Sequence, residues 1–353
     1  MSLLFITNYE MDITLALHLA KMGSGIVFYS PNPYILSQAL QHSIRTHYTV
    51  SKPEFIKLCA EGRFKTTQQL PKNVDEVWIS VNTMKGGVDT YADSENLLRR
   101  AAQEINEAKT LTVAGLTKPG EAPKLIELFH STSRALECPV FFMGSPQTIW
   151  NKIPAWSSGG KATAAINFFN PCFFNNIESA ECATVSLLAM EAVKRITLLH
   201  LSRHFKNQEI IHNCLHDNVF LRAEHLDVLK YLKTKAGING VYSSFFTNSY
   251  KSLVKELARI ESEIAMDVLK LARKSGKTVR VLVVCFEDAV MERLQTYFAK
   301  KNVKAVRVDE SSLESKGVEM CKGFDGVILA SQHLKLWREF EKACKQVWFL
   351  PIT

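Results

Sequence analysis

The chain holds eight cysteines in 353 residues but no Cys-x-x-Cys pair. Cys59, Cys138, Cys172, Cys182, Cys214, Cys285, Cys321 and Cys344 are scattered along it, which suits free thiols in a reducing compartment better than a disulfide framework. No apolar run reaches the length of a membrane span. The stretch Met1-Ser-Leu-Leu-Phe-Ile-Thr7 lacks a basic n-region and a small-residue cleavage site, and it reads as a buried strand. Together these absences point to an intracellular protein, cytoplasmic or nuclear, with no membrane attachment. There is no internal repeat at solenoid periods. There are also no long runs of like charge, so the net charge of +8 reads as lysine excess on solvated helix faces. A basic surface that binds nucleic acid is the second reading of the same charge.

What is present is an ordinary globular composition, 46% hydrophobic and 22% charged, long enough for two or three domains. The first third alternates in period. Strands are expected at 3–7, 25–30, 76–81, 110–114 and 140–143, with helices at 13–21, 93–108 and 122–133. Such alternation implies a parallel sheet covered on both faces. Residues 151–160, rich in Pro, Ser and Gly around Trp150 and Trp156, read as an edge or connection. Long helices are expected at 179–205, 210–235 and 249–275. A smaller α/β unit follows, with strands at 279–284, 304–308, 326–330 and 347–350 and helices at 289–300 and 336–345. The expected fold is therefore α/β: an N-terminal Rossmann-like parallel sheet (1–176), a central helical domain (177–275) and a smaller C-terminal Rossmann-like domain (276–353).

Local sequence resembles one enzyme family in this same order. Trp78-Ile-Ser-Val-Asn-Thr83 is similar to the strand [FI]-[IC]-[SC]-V-[NP]-T-P, with Met84 in place of the proline. Leu111–Gly120 resembles L-V-V-x-[EK]-S-T-V-P-P-G and keeps Pro119-Gly120. Gly144-Ser-Pro-Gln147 resembles x-[SN]-P-E, and Ser179-Ala-Glu-Cys182 resembles the S-[AS]-E-L that opens a long helix. Gly240–Ser249 resembles G-x-G-G-S-C-F-P-K-D before a helix, through Gly240, Ser244 and Phe246. Lys322–Ala330 followed by His333–Trp337 resembles A-D-A-[VL]-V-[IL]-x-T-x-W. The family is that of the UDP-glucose and GDP-mannose dehydrogenases.

That resemblance implies where functional residues should lie, and they differ here. The G-x-G-x-x-G turn, which lets backbone approach a pyrophosphate at a helix N-terminus, falls on Thr7, Tyr9 and Asp12. Asp12 suits a helix cap instead. The ribose-binding acid falls on Ser30. The nucleophilic cysteine falls on Phe245, and the motif carboxylate falls on Gln147, which cannot act as a base. The substrate-facing lysine and asparagine fall on Thr184 and Leu188, and the Ser-Thr after the third major strand falls on Gly115 and Leu116. The late UDP-sugar run is missing, since Val284-Cys-Phe-Glu-Asp288 passes directly into a helix. These differences imply a degenerate family member, not an enzyme, with no catalytic residues, no bound cofactor and no metal.

Two further groups stand out. His200, His204, His212, Cys214, His216 and His225 include zinc-ligand types, and convergence would allow metal-based chemistry. Their other reading is helix surface and packing, since no zinc spacing is present. Phe168, Phe169, Phe173 and Phe174 form aromatic doublets around Asn170-Pro-Cys172; their first reading is core at a domain junction, and the second makes them candidate partner-binding residues. Lys85-Gly-Gly87 resembles a phosphate loop only faintly. The functional expectation is a protein-interaction scaffold or adaptor with an unidentified protein partner. Homodimerisation through the central helices is implied by the resemblance.

Overall fold

The computed structural model describes residues 2–9, 12–40, 50–84, 90–133, 138–146, 152–204, 223–235, 240–285, 288–299, 301–308, 317–330, 340 and 342–350. Its elements in chain order are β1 (Ser2–Ile6), α1 (Asp12–Lys21), β2 (Gly25–Tyr29), α2 (Pro33–Leu40), α3 (Lys52–Ala60), β3 (Phe64–Thr67), β4 (Glu76–Asn82), α4 (Tyr91–Glu104), β5 (Thr110–Leu116), α5 (Ala122–Thr132), β6 (Val140–Gly144), β7 (Pro154–Ser157), α6 (Ala164–Phe168), β8 (Cys172–Phe173), α7 (Ile177–His204), α8 (Ala223–Lys235), α9 (Gly240–Ser275), β9 (Val279–Cys285), α10 (Asp288–Phe298), β10 (Val303–Arg307), β11 (Gly326–Ala330) and β12 (Val347–Phe349). The chain divides into two compact units, Met1–Ala189 and Met190–Thr353, with the division inside α7.

In the first unit eight strands form one sheet in the order β3-β2-β1-β4-β5-β6-β7-β8. The strands from β3 to β6 are parallel. β7 runs antiparallel to β6, and β8 is parallel to β7. The order reverses between β1 and β4, both of which pair in register through Leu3–Ile6 and Glu76–Ile79. That reversal is the topological switch point at which open α/β sheets bind ligands.

Strand residues alternate between two buried faces. Leu3, Phe5, Phe28 and Trp78 face one core, with Leu17 of α1 and Ile166 of α6 packed there. Leu4, Ile6, Val77 and Ile79 face the other core, with Leu98 of α4 and Phe129 of α5. One buried acid sits in this packing. Glu76 Oε1 accepts from Trp78 Nε1 at 2.7 Å and from Thr163 Oγ1 at 2.7 Å, and Thr163 Oγ1 also accepts from Ile166 N to cap α6. Burial pushes the Glu76 carboxyl above the usual carboxylate range, against those two hydrogen bonds.

The second unit holds a four-stranded parallel sheet, β10-β9-β11-β12. Its core joins sheet residues Val281, Val283 and Ile328 with Leu253, Ile264 and Val268 of α9 in one cluster. The helical stretch and the small sheet thus share a single apolar interior.

The α/β architecture with a large and a small Rossmann-like sheet matches expectation. Three details differ. The segment 151–160 contains a true strand, β7, which reverses direction. The last helix of the middle begins at Gly240, so the stretch 240–249 is helical and not a loop before a helix. The helices expected at 210–235 and 336–345 fall partly outside the described residues.

Helix α3 starts on a local device legible in Ser51-Lys-Pro-Glu54. Ser51 N and Oγ both donate to Glu54 Oε2 at 2.9 Å, and Lys21 Nζ lies 3.0 Å from Glu54 Oε1. These contacts lower the Glu54 carboxyl to about 2, the backbone donation from Ser51 contributing most. A depressed folded-state value contributes stability above the ordinary 4.5 that disappears as pH falls towards about 2. Glu54→Gln is therefore expected to show a smaller loss of denaturant midpoint across that acidic window than the parent chain. Equal losses in the two proteins would refute the assignment.

Candidate functional site

The carboxyl ends of β1, β4, β5 and β6 bound the switch-point cleft, and side chains from the chain itself occupy its first turn. Thr7, immediately after β1, is fully buried. Its Oγ1 accepts from Tyr9 N at 2.9 Å and its hydroxyl donates to Asp12 Oδ2 in a short bond. A backbone N–H that could meet a phosphate oxygen is thereby satisfied internally. The Asp12 carboxylate stands in the first turn of α1, where an anion would otherwise profit from the helix dipole. Tyr9 then crosses the switch point, its hydroxyl donating to Asn82 O at the end of β4 at 2.9 Å. Burial raises the Tyr9 phenol to about 12, so the hydroxyl stays protonated and remains a donor. Thr90 Oγ1 donates to the same Asn82 oxygen. At the end of β2, Ser30 is buried and accepts from Asn32 N at 3.2 Å within its own turn.

The far side of the cleft is equally filled. Gly115, next to last in β5, has φ +139°, and a Cβ there would overlap the Val81 carbonyl oxygen of β4. Only glycine fits this close approach. A Cβ at Gly144 would overlap the Thr184 hydroxyl, so Thr184 occupies the space a side chain at 144 would need. Thr184 Oγ1 is turned back to Ala180 O at 2.8 Å, and Leu188 one turn on is buried. Ser145, next to Gly144, is buried at φ +48° with its N–H donating to Gly115 O at 2.8 Å.

The cleft residue that sequence reasoning missed is Glu181. Its two oxygens accept from Thr117 Oγ1 at 2.7 Å, Gly120 N at 2.8 Å and Ala122 N at 2.8 Å. Burial pushes this carboxyl up, opposed by those three donors. It thus caps α5 from a distant helix. The Ser179-Ala-Glu-Cys182 motif contains the residue, but motif matching does not say which N–H groups it meets.

The remaining candidates separate. Phe168 is half-buried, 4.9 Å from Phe169 between ring centres and 5.3 Å from His18. Phe169 is 1% exposed and packs on Trp78, ring centres 5.9 Å apart. Phe169 belongs to the core and is corrected as a partner-binding candidate, because a side chain so buried cannot reach a partner, while Phe168 packs part-buried against that core. Phe173 on β8 is 47% exposed, and Phe174 is half-buried against the core of Leu4 and Ile6. Phe245 lies on α9 with its side chain outside the described residues, as do the side chains of His200 and His204 on α7. Gln147, Lys85–Gly87, His212, Cys214 and His216 fall outside the described residues altogether. His225 is buried with Nδ1 3.4 Å from Nη1 of buried Arg195, a cation. Among the described residues no group of three or more His, Cys, Asp or Glu side chains could hold a metal ion.

No protein-family model matches the chain, and no curated protein sequence does. Solved structures do. A UDP-D-ManNAc dehydrogenase from Pyrococcus horikoshii is similar over 98% of this chain and 94% of its own, at 11% identity and a TM-score of 0.61. A UDP-glucose dehydrogenase from the archaeon Pyrobaculum islandicum covers 100% and is covered over 98%, at 11% identity and 0.61. The UDP-N-acetyl-mannosamine dehydrogenase of Staphylococcus aureus covers 93% and is covered over 88%, at 10% identity and 0.52.

The chain has the fold of the UDP-sugar dehydrogenases.

This finding supports the resemblance and corrects one expectation drawn from it. The structures that match end to end are those of dehydrogenases, so the chain's architecture is that of enzymes and the expectation of a non-enzyme is withdrawn. Among the described residues no helix is long and apolar enough to cross a membrane.

Two outcomes follow from the cleft. Calorimetric titration with NAD is expected to give no saturable heat at micromolar concentrations, because Tyr9 and Thr7 hold the groups a pyrophosphate would need. Micromolar saturation would mean that Tyr9 leaves Asn82. Glu181→Ala strands three donors, two of them backbone, and is expected to cost roughly 3 kcal/mol in urea unfolding. A loss below about 1 kcal/mol would show that water replaces the carboxylate.

Proposed function

We propose that the protein works as an interaction scaffold or adaptor built on the UDP-sugar dehydrogenase fold, and that its partner docks on the β8 edge of the large sheet. The observation that carries this reading is the combination of a sheet edge and an exposed aromatic. Cys172 N donates to Ile153 O and Phe174 N donates to Ala155 O, both at 2.8 Å. Alternation along the strand directs the Phe173 N–H and C=O away from β7. β8 ends the sheet, and among the described residues no strand pairs with its outer side. Sheet edges of this kind accept an extended segment of another protein, with backbone bonds supplying affinity and an aromatic supplying an anchor. Cys172 and Phe173 are both exposed there.

NADH formation from a UDP-sugar is the separate assay for a reaction on the same fold.

Phe173→Ser is expected to leave thermal unfolding within about 0.5 kcal/mol of the parent, as surface substitutions do. It should also lose the proteins that co-purify with the parent chain, read by quantitative mass spectrometry. Phe169→Ser is the control for core damage and should destabilise by several kcal/mol, on the order of 3–5. Recovery of the same proteins by Phe173→Ser would sink the β8 site.

A further inference from the structure

The net charge of the chain is not shared between its two units. Met1–Ala189 carries sixteen basic and sixteen acidic residues, whereas Met190–Thr353 carries 27 basic and 19 acidic ones, so the whole +8 belongs to the second unit. The small sheet gathers part of that excess at one rim. Its four strands are all parallel, so all four begin at the same edge. One lysine precedes each entrance: Lys301 before β10, Lys277 before β9, Lys322 before β11 and Lys345 before β12, all exposed. In the order β10-β9-β11-β12 these entrances span about 14 Å at the usual strand spacing.

The cations continue onto the sheet itself. Arg280 of β9 and Lys304 of β10 are register partners, both exposed, on the face turned away from Val281 and Val303. Like charges directly opposite each other cost stability. Among the described residues, Lys322 alone of these six side chains meets a carboxylate, that of Glu319. The Asp325 carboxylate accepts instead from the backbone, Arg280 N, at 2.8 Å. Helices α9 and α10 end at this rim, but two helix dipoles account for only about one unit of positive charge. The Arg280 guanidinium lies over the Phe324 ring, 4.8 Å from its centre.

We propose that this rim binds single-stranded nucleic acid, with phosphates on the lysines and an unpaired base stacked on Arg280.

Two features select this polyanion over others. Lysine is a compact point charge that holds a phosphate and reads no base, so binding is independent of sequence. Lysine is also depleted at protein–protein interfaces, which disfavours an acidic protein here. The second feature is Arg280. A guanidinium held against a ring on one side offers its outer side to the π-face of a base. A duplex hides its base faces in the stack, and a lipid surface has none.

The test is fluorescence anisotropy of the full chain with labelled oligo(dT) and oligo(U) at low salt. Both are expected to bind in the micromolar range, because phosphates and base faces are common to them. With four phosphates neutralised, log K falls against log[salt] with a slope of about −3. Lys277→Gln combined with Lys301→Gln should lower the size of that slope by about 1.4. Arg280→Lys keeps the charge and loses the plane, so the slope should stay while affinity falls about tenfold. Binding of neither oligonucleotide overturns the proposal. Undiminished binding by the double lysine variant overturns it too, because the contact then lies elsewhere on the chain. Duplex DNA bound as tightly as oligo(dT) would show charge alone at work, and capture by phosphatidylserine vesicles without either oligonucleotide would give the rim to lipid; each sinks the proposal. The salt slope and the duplex comparison are read on the parent chain, so they decide the matter even where a variant misfolds.

Discussion

The buried carboxylate of Glu181 is the constraint on which the geometry of the first unit's cleft depends. It reaches from the opening turns of α7 into the turn between β5 and α5, and it satisfies Thr117 Oγ1, Gly120 N and Ala122 N together. A helix start whose N–H groups meet no partner costs stability, and here the partner comes from another helix. One placement follows from another. With Glu181 anchored, Thr184 sits one turn further along α7 against Gly144, and Leu188 a further turn along is buried. The same anchor orders the turn after β5, where Lys118 N donates to Thr83 Oγ1 at 3.0 Å and binds β4 to that turn. Breaking the anchor would therefore loosen the far side of the cleft as a whole, not one contact in it.

The near side obeys a different logic. A dinucleotide turn leaves backbone donors free for a pyrophosphate and keeps side chains out of the way. Thr7 and Tyr9 do the opposite. The Thr7 hydroxyl takes the Tyr9 N–H and Tyr9 takes the Asn82 carbonyl, so the turn meets its hydrogen-bonding needs from within the chain. Tyr9 also joins two strands that are neighbours at the reversal of sheet order, across the crevice a ligand would use. Its phenol is raised by burial, so it stays protonated and remains a donor to that carbonyl throughout the physiological range.

Much of the architecture was legible because it rests on periodicity. Runs such as Glu76-Val-Trp-Ile-Ser-Val-Asn82 and Val279-Arg-Val-Leu-Val-Val-Cys285 become strands buried in parallel sheets, and the helices between them carry apolar stripes. Where reading failed, the deciding contacts are non-local. Nothing in Pro154-Ala-Trp-Ser157 states that it pairs antiparallel with β6, because β7 takes its direction from where the connection re-enters the sheet. Gly240–Ser249 reads as a loop by likeness to a motif, yet its own residues continue the helical face that packs as Phe246, Tyr250 and Leu253. In the cleft, the positions of Thr7, Tyr9 and Asp12 were legible as departures from a glycine pattern. The hydrogen bonds that replace that pattern join residues as far apart as Tyr9 and Asn82.

The four phenylalanines show how burial, more than residue type, decides what a surface can do. Around Asn170-Pro-Cys172 the chain turns, with Asn170 at φ +47°, and the turn separates the two doublets. Phe169 enters the core beside Trp78, and Phe168 closes over His18, whose imidazole is held below its ordinary value by burial. Past the turn, β8 is only two residues long, and its strand period sends Phe174 inward and leaves Phe173 outside. A short edge strand is the usual protection against unwanted pairing, because it offers few backbone groups. An aromatic left exposed on such an edge works against that protection. Desolvating it is favourable only when a partner covers it, so any specificity at this edge comes from the pocket that receives Phe173, with the single outward backbone pair fixing the register.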